Sequence, residues 1–158
     1  MKIALGSDHA GFLLKESVVE YLRAAELSYK DFGVSSEESV DYPDIAVSVV
    51  NAVQAGECEF GILICGTGIG MTITANKHRG IRAALCSEAY SARCAREHND
   101  ANVLTMGSRV IGPGLAVDVV ESFLKASFDG GRHARRLEKI SLIEKQMVEM
   151  KKTDGNNR

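Results

Sequence analysis

The chain has 158 residues, of which 45% are hydrophobic and 25% charged, with 19 lysines and arginines against 21 aspartates and glutamates and a net charge of −2. That length suits one domain with its own buried core, and the ordinary composition excludes wholesale disorder. The slight acidity argues against nucleic acid as a general partner, and no apolar run approaches the ~20 residues of a membrane span.

In chain order, "KIALG" from Lys2 predicts a first strand, which ends in "GSDHAG" and so presents Asp8 and His9. Leu14, Val18, Tyr21, Leu22 and Ala25 then recur at helical spacing. "SYKDFG" from Ser28 predicts the second strand and leads to "DYPD", which contains Tyr42, ahead of a helix marked by Ile45, Val49, Ala52 and Val53. "FGILIC" predicts a buried third strand that delivers Cys65 to "CGTGIGM". "IRAALC" and "NVLTMG" predict strands four and five, separated by "EHNDANV" with His98 and Asn99, and strand five runs into "MGSR" with Arg109. Leu115, Val119, Val120, Phe123 and Leu124 mark the next helix. Gly130 and Gly131 break the chain before a last helix carrying Leu137, Ile140, Ile143, Met147 and Met150. Residues 1–150 form the expected domain, and 151–158 a polar, fraying tail.

Strands alternating with helices imply a parallel sheet covered on both faces. The predicted fold is a single-domain, Rossmann-like, three-layer α/β/α arrangement with a five-stranded parallel sheet and an extra C-terminal helix. The apolar stripe of that helix suits either a second subunit or its own sheet. In such sheets, ligands bind beyond the carboxyl ends of the strands, where the glycine-rich and polar motifs collect.

Gly66, Gly68 and Gly70 allow a backbone to approach a ligand closely and to aim several N–H groups into one hollow, an arrangement that holds anions. A plain strand-to-helix turn would use the same glycines. Other phosphate loops fit poorly: a dinucleotide fingerprint needs its third glycine where Met71 stands, and a Walker loop needs Lys and then Ser or Thr where Phe12 and Leu13 follow "GSDHAG". Cys65 precedes the loop near a helix start, a setting that favours a thiolate able to act as base or nucleophile. No acyl-transfer partners accompany it, and N–H donors beside a base suit an enediolate. A buried structural cysteine fits that position equally well. Asp8 and His9 can bind sugar hydroxyls or phosphate, or cap a loop; His98 can transfer protons, or sit solvated at a helix end. Arg132 and Arg136 lie four apart on one helix face, with Arg109 as a third guanidinium matched to phosphate. A solvated charged face is the alternative.

Cys58, Cys65, Cys86 and Cys94 show neither a CxxC pair nor metal-finger spacing, so free thiols are expected, with those other than Cys65 buried. The short apolar part of the N-terminus is no signal peptide, and a cytoplasmic location follows as an expectation.

The ordered set "GSDHAGF", "DYPD", "GILICGTGIG", "ANKHRGIRAALC", "SEAYSARCAREHNDANVLTMGSR" and "GGRHARRLEKI" resembles ribose-5-phosphate isomerase type B, the family that also includes galactose-6-phosphate isomerase subunits. The resemblance implies a metal-free and cofactor-free aldose–ketose isomerase of ribose 5-phosphate and ribulose 5-phosphate. It makes Cys65 the base, His98 the ring-opening acid and Thr67 a stabiliser of oxygen charge. Asp8, His9, Tyr42, Gly66, Thr67, Gly68, Ile69, Gly70, Asn99, Arg109, Arg132 and Arg136 match substrate-binding positions. Met71 stands where some members carry a glutamate base paired with a serine at the cysteine position, so this chain falls in the cysteine group. The family's site is built between subunits of a homodimer or homotetramer. His98 and Asn99 precede strand five, which already points them toward the opposite sheet edge from Cys65. Six-carbon sugar phosphates such as allose 6-phosphate or galactose 6-phosphate are the rival substrates, and a non-catalytic sugar-phosphate-binding module is the rival of another class.

Overall fold

The computed structural model describes the backbone of residues 1–155 and the side chains of residues 1–147. Five parallel strands, β1 (Lys2–Ser7), β2 (Ser28–Asp31), β3 (Phe60–Cys65), β4 (Ala83–Leu85) and β5 (Val103–Gly107), lie in the order β2-β1-β3-β5-β4. β3 is buried at every residue and β5 likewise, the pattern of strands covered on both faces. β2 and β4 stand at the two edges and are shorter than "SYKDFG" and "IRAALC" predict. The ends of those runs serve as connections.

Helices α1 (Phe12–Ala24), α4 (Ala89–Asn99) and α5 (Pro113–Lys125) share one face, where Leu14, Val18, Leu22, Ala92, Val119 and Phe123 join Ile62 and Leu104 in one core. On the other face α2 (Tyr42–Gln54) and α3 (Ile69–Ala75) bury Val49, Val50, Met71 and Ala75 against Ala4 and Leu63. This is the three-layer fold expected from the alternation. Two predicted helix positions fall outside the core: Ala25 is the exposed C-cap of α1, and Leu115, in the first turn of α5, is 40% exposed.

The last helix, α6 (Arg132–Gly155), packs beside α4 and runs on into the segment predicted to be a tail. Residues 156–158 lie outside the described residues, as does the side chain of Met150. Leu137 is half-buried, but Ile140, Ile143 and Met147 are 52%, 58% and 60% exposed. The stripe is thus not spent on the sheet of its own chain.

One buried charge anchors the helix that follows the first site loop. Lys15 is 2% exposed, and its Nζ donates to Asp31 Oδ2 at 2.7 Å and to the Val34 carbonyl at 2.6 Å. Removing one partner of such a pair strands a charge, whereas an apolar side chain of similar volume removes the need for pairing. Asp31→Ala is expected to cost about 3 kcal/mol, the low end of the range because the carboxylate is partly solvated. Lys15→Met should cost clearly less. Urea unfolding of both variants checks this, and equal losses would contradict it.

Candidate active site

The chain leaves β1 toward β2 on one side and returns to place β3 on the other, so the sheet order reverses between β1 and β3. The carboxyl ends of those two strands deliver Asp8 and Cys65 to the switch point, where open α/β sheets leave a crevice for ligands. Cys65 is the last residue of β3 and pairs with Gly107, the last of β5. Its Sγ is buried and accepts the Gly68 N–H at 3.1 Å, so charge developing on sulfur meets a fixed donor.

That donor depends on glycine. Gly68 has φ +78°, and a Cβ there would run into Leu85 and the Met106 backbone. Thr67 Oγ1 accepts the Ile69 N–H at 3.4 Å, which closes the turn. Tyr42, in the first turn of α2, lies so close to Gly70 that a Cβ would come within 2.7 Å of its ring. Asp8 is buried and accepts the Gly11 N–H through Oδ1 at 3.0 Å, capping the short 3-10 turn His9–Gly11. The capping role therefore exists, and the carboxylate still lines the cavity. Val40 N–H donates to His9 Nδ1 at 3.3 Å, which leaves the proton of the neutral ring on Nε2.

Ser108, which the sequence reading passed over within "MGSR", clasps the three strand ends. Its hydroxyl donates to the Ala10 carbonyl at 2.6 Å and lies 3.3 Å from the Cys65 carbonyl, while its N–H donates to Cys65 at 2.9 Å. Arg109 follows, bonded by its N–H to the Gly66 carbonyl, with its guanidinium against the glycine loop. Asp8, His9, Tyr42, Cys65, Gly66, Thr67, Gly70 and Arg109 enclose a cavity of about 260 Å³. A larger cavity, about 450 Å³, lies between α6 and the start of β4; its walls include Ile140, Ile143 and Met147, and it holds no thiol.

His98, Asn99 and Arg132 form a second group elsewhere. His98 occupies the last turn of α4, whose end is fixed by Asp100, which takes Arg82 at 2.7 Å and Arg96 at 2.8 Å on its two carboxylate oxygens. Arg82, just before β4, also donates through Nε to the Asn99 carbonyl, so this group sits at the amino edge of the sheet. Cys65 sits at the carboxyl edge. The five residues of β5 between the two edges span ~13 Å at ~3.3 Å per residue. His98 stacks on His133 with ring centroids 4.3 Å apart and planes 4° from parallel, and Arg132 Nε–H donates to His133 Nε2 at 3.2 Å. Burial, then the neighbouring His98, Arg132 and Arg136, hold the His133 pKa below the usual imidazole value. A neutral ring is what accepts the Arg132 bond. His133 was missed although it lies inside "GGRHARR", because that motif drew attention only to its guanidinium groups. Arg109, grouped with Arg132 and Arg136 by charge, belongs in one chain to the thiol's group instead.

The remaining cysteines are free, as expected. Burial pushes the Cys86 thiol up to about 11 and raises that of Cys58. Cys94 departs from expectation by being only half-buried, on the same helix as His98.

A thiol, a carboxylate, an imidazole and a guanidinium around an N–H-lined loop at the switch point make a cavity chemically suited to a small anionic ligand. The chain belongs to the Ribose/Galactose Isomerase family, which it matches over residues 3–140. It is 51% identical to ribose-5-phosphate isomerase B of Escherichia coli (strain K12) over 145 residues, covering 92% of this chain and 97% of the relative. It is 44% identical over 147 residues to D-erythrulose-4-phosphate isomerase of Pectobacterium atrosepticum, with 92% and 97% covered. Its fold superposes on that of ribose-5-phosphate isomerase B of Clostridium thermocellum with TM-score 0.91 and 54% identity, over 93% of this chain and 99% of that one. The chain is thus an isomerase, and no helix among the described residues is long and apolar enough to cross a membrane.

Proposed function

We propose that the protein interconverts ribose 5-phosphate and ribulose 5-phosphate through an enediolate, with Cys65 as the base. The observation that carries this reading is the buried Cys65 sulfur held against the Gly68 N–H inside the cavity that Asp8, His9 and Arg109 share. The thiolate takes the proton from carbon 2, and the same thiol returns it to carbon 1. Loop amides and the Thr67 hydroxyl stabilise the oxygen charge that develops between those steps. Asp8, His9, Tyr42 and Asn99 hold the sugar, and Arg109, Arg132 and Arg136 hold the phosphate, so that binding energy far from the reacting carbons orients the substrate. The conversion balances when a second proton passes from the oxygen on carbon 2 to that on carbon 1, so every proton moves between the substrate and the site or within the substrate.

His98 opens the furanose by giving a proton to the ring oxygen. Because a strand's length separates it from Cys65 within one chain, the complete site joins the thiol's group of one subunit to the histidine's group of another. The uncovered stripe of Ile140, Ile143 and Met147 on α6 and the free edge of β4 support a homodimer or larger homo-oligomer of that kind.

Comparing kcat/KM for ribose 5-phosphate with that for allose 6-phosphate, galactose 6-phosphate and D-erythrulose 4-phosphate tests the substrate. The four-carbon arm matters because a relative named for that sugar shares 44% of its residues with this chain. Higher kcat/KM for any rival sugar would move the assignment to it, and no turnover of any would overturn the ribose 5-phosphate assignment. His98→Ala should lower kcat/KM for ribose 5-phosphate by ~10²-fold or more. Turnover of erythrose 4-phosphate, which closes no furanose ring, should fall only a few-fold, and equal losses on the two sugars would contradict a ring-opening role.

A further inference from the structure

We propose that Cys94, Glu97 and His98 form a binding site for a zinc-class divalent cation, and that filling it inhibits the enzyme by occupying His98. The inhibitory part rests on the ring-opening role proposed above; the site itself does not.

The three residues follow one another at i, i+3 and i+4 on α4, the spacing that places side chains on one helix face. Their sulfur, carboxylate and imidazole donor atoms all lie within 4.8 Å of one another. Tetrahedral zinc sets such donors roughly 3.3–3.7 Å apart, so small rotations of side chains close the cage. All three side chains are half-buried, neither sealed from an arriving ion nor free to splay into solvent. The competing partners are weak. Glu97 meets Arg93 at 3.6 Å in a partly solvated pair, which a cation displaces readily.

A further carboxylate adjoins the group at His98. The Asp129 N–H donates to the Glu97 carbonyl at 2.9 Å, which ties the segment before α6 to the end of α4, and the Asp129 carboxylate lies within 4.8 Å of His98 donor atoms. His133 lies equally near, but its ring is parallel to that of His98 to within 4°. Parallel rings confine their in-plane lone pairs to separate parallel planes, and those do not converge on one ion. His133 also accepts from Arg132, so its Nε2 lone pair is already engaged. Thiolate, imidazole and carboxylate together select zinc or cobalt over magnesium or calcium. On binding, the Cys94 thiol gives its proton to solvent as the metal–sulfur bond forms. A metal-bound imidazole can no longer accept the proton that ring opening requires it to deliver.

The test titrates the full-length protein with Co²⁺ and follows the thiolate-to-cobalt absorption in the near ultraviolet. Zn²⁺ inhibition is measured in parallel. One ion per chain should give the band in wild type, Cys94→Ala should abolish it while metal-free turnover stays unchanged, and Glu97→Gln should keep the band but weaken the affinity. The Zn²⁺ concentration for half inhibition of ribose 5-phosphate turnover should rise at least ~10-fold in Cys94→Ala. Absence of the band from wild type, or a band that survives Cys94→Ala and disappears in Cys65→Ala, would overturn the site. A Cys94-dependent band with turnover untouched at saturating Zn²⁺ would support the site and overturn the ring-opening role of His98.

Discussion

Cys65→Ala is expected to lose turnover by ~10²–10⁴-fold, equivalent to roughly 3–5 kcal/mol of transition-state stabilisation. The substitution removes one sulfur from the end of β3 and leaves the backbone of the glycine loop with its ladder and clasp bonds. KM for the phosphorylated sugar should therefore change much less than kcat. Cys65→Ser keeps the size of the group but replaces a thiol with a far weaker acid, and it should stay nearly as inactive. No carboxylate stands in for the base behind the loop, because position 71 holds a fully buried methionine. Steady-state kinetics on both variants, with far-ultraviolet circular dichroism to show that they fold, decide the matter. Turnover within a few-fold of wild type would remove Cys65 from the mechanism.

Jointly refolded mixtures of inactive Cys65→Ala and inactive His98→Ala chains are expected to recover about a quarter of wild-type activity. Equal amounts pairing at random make about half the dimers mixed, and a two-fold isologous dimer gives each mixed pair one site with both residues intact. Half the dimers with one good site of two yields the quarter. The expectation follows from the ~13 Å strand that separates the two groups in one chain. Mass spectrometry that confirms mixed dimers without any recovered activity would mean that each subunit supplies its own histidine.

Much of the architecture was legible because its signals are local. "FGILIC" reads as a strand buried on both faces and is one, residue for residue, and the period of Val119, Val120, Phe123 and Leu124 marks the buried side of α5. Edge strands were harder to bound, since β2 and β4 bury little and their ends are set by hydrogen bonds to neighbours rather than by composition. Within the site, Gly68 was legible because its backbone conformation excludes other residues. Ser108 was not, because its importance lies in bonds to residues 98 and 43 positions away, which no local pattern displays. The separation of Arg109 from Arg132 was hidden for the same reason: charge alone does not say at which edge of a sheet a guanidinium ends.

The Ser108 clasp also sets a timetable. As the chain leaves a ribosome, Cys65 emerges 43 residues before the serine whose bonds fix its strand end. At ~5–20 residues per second, that leaves an interval of about 2–9 s in which the thiol exists without β5 beside it. Throughout that interval the sulfur lacks the β5 side of its burial, and any oxidant or soft metal in the surroundings meets it before a substrate can. The finished protein shields this sulfur inside the fold; the growing chain depends for the same protection on the reducing power of the compartment that makes it.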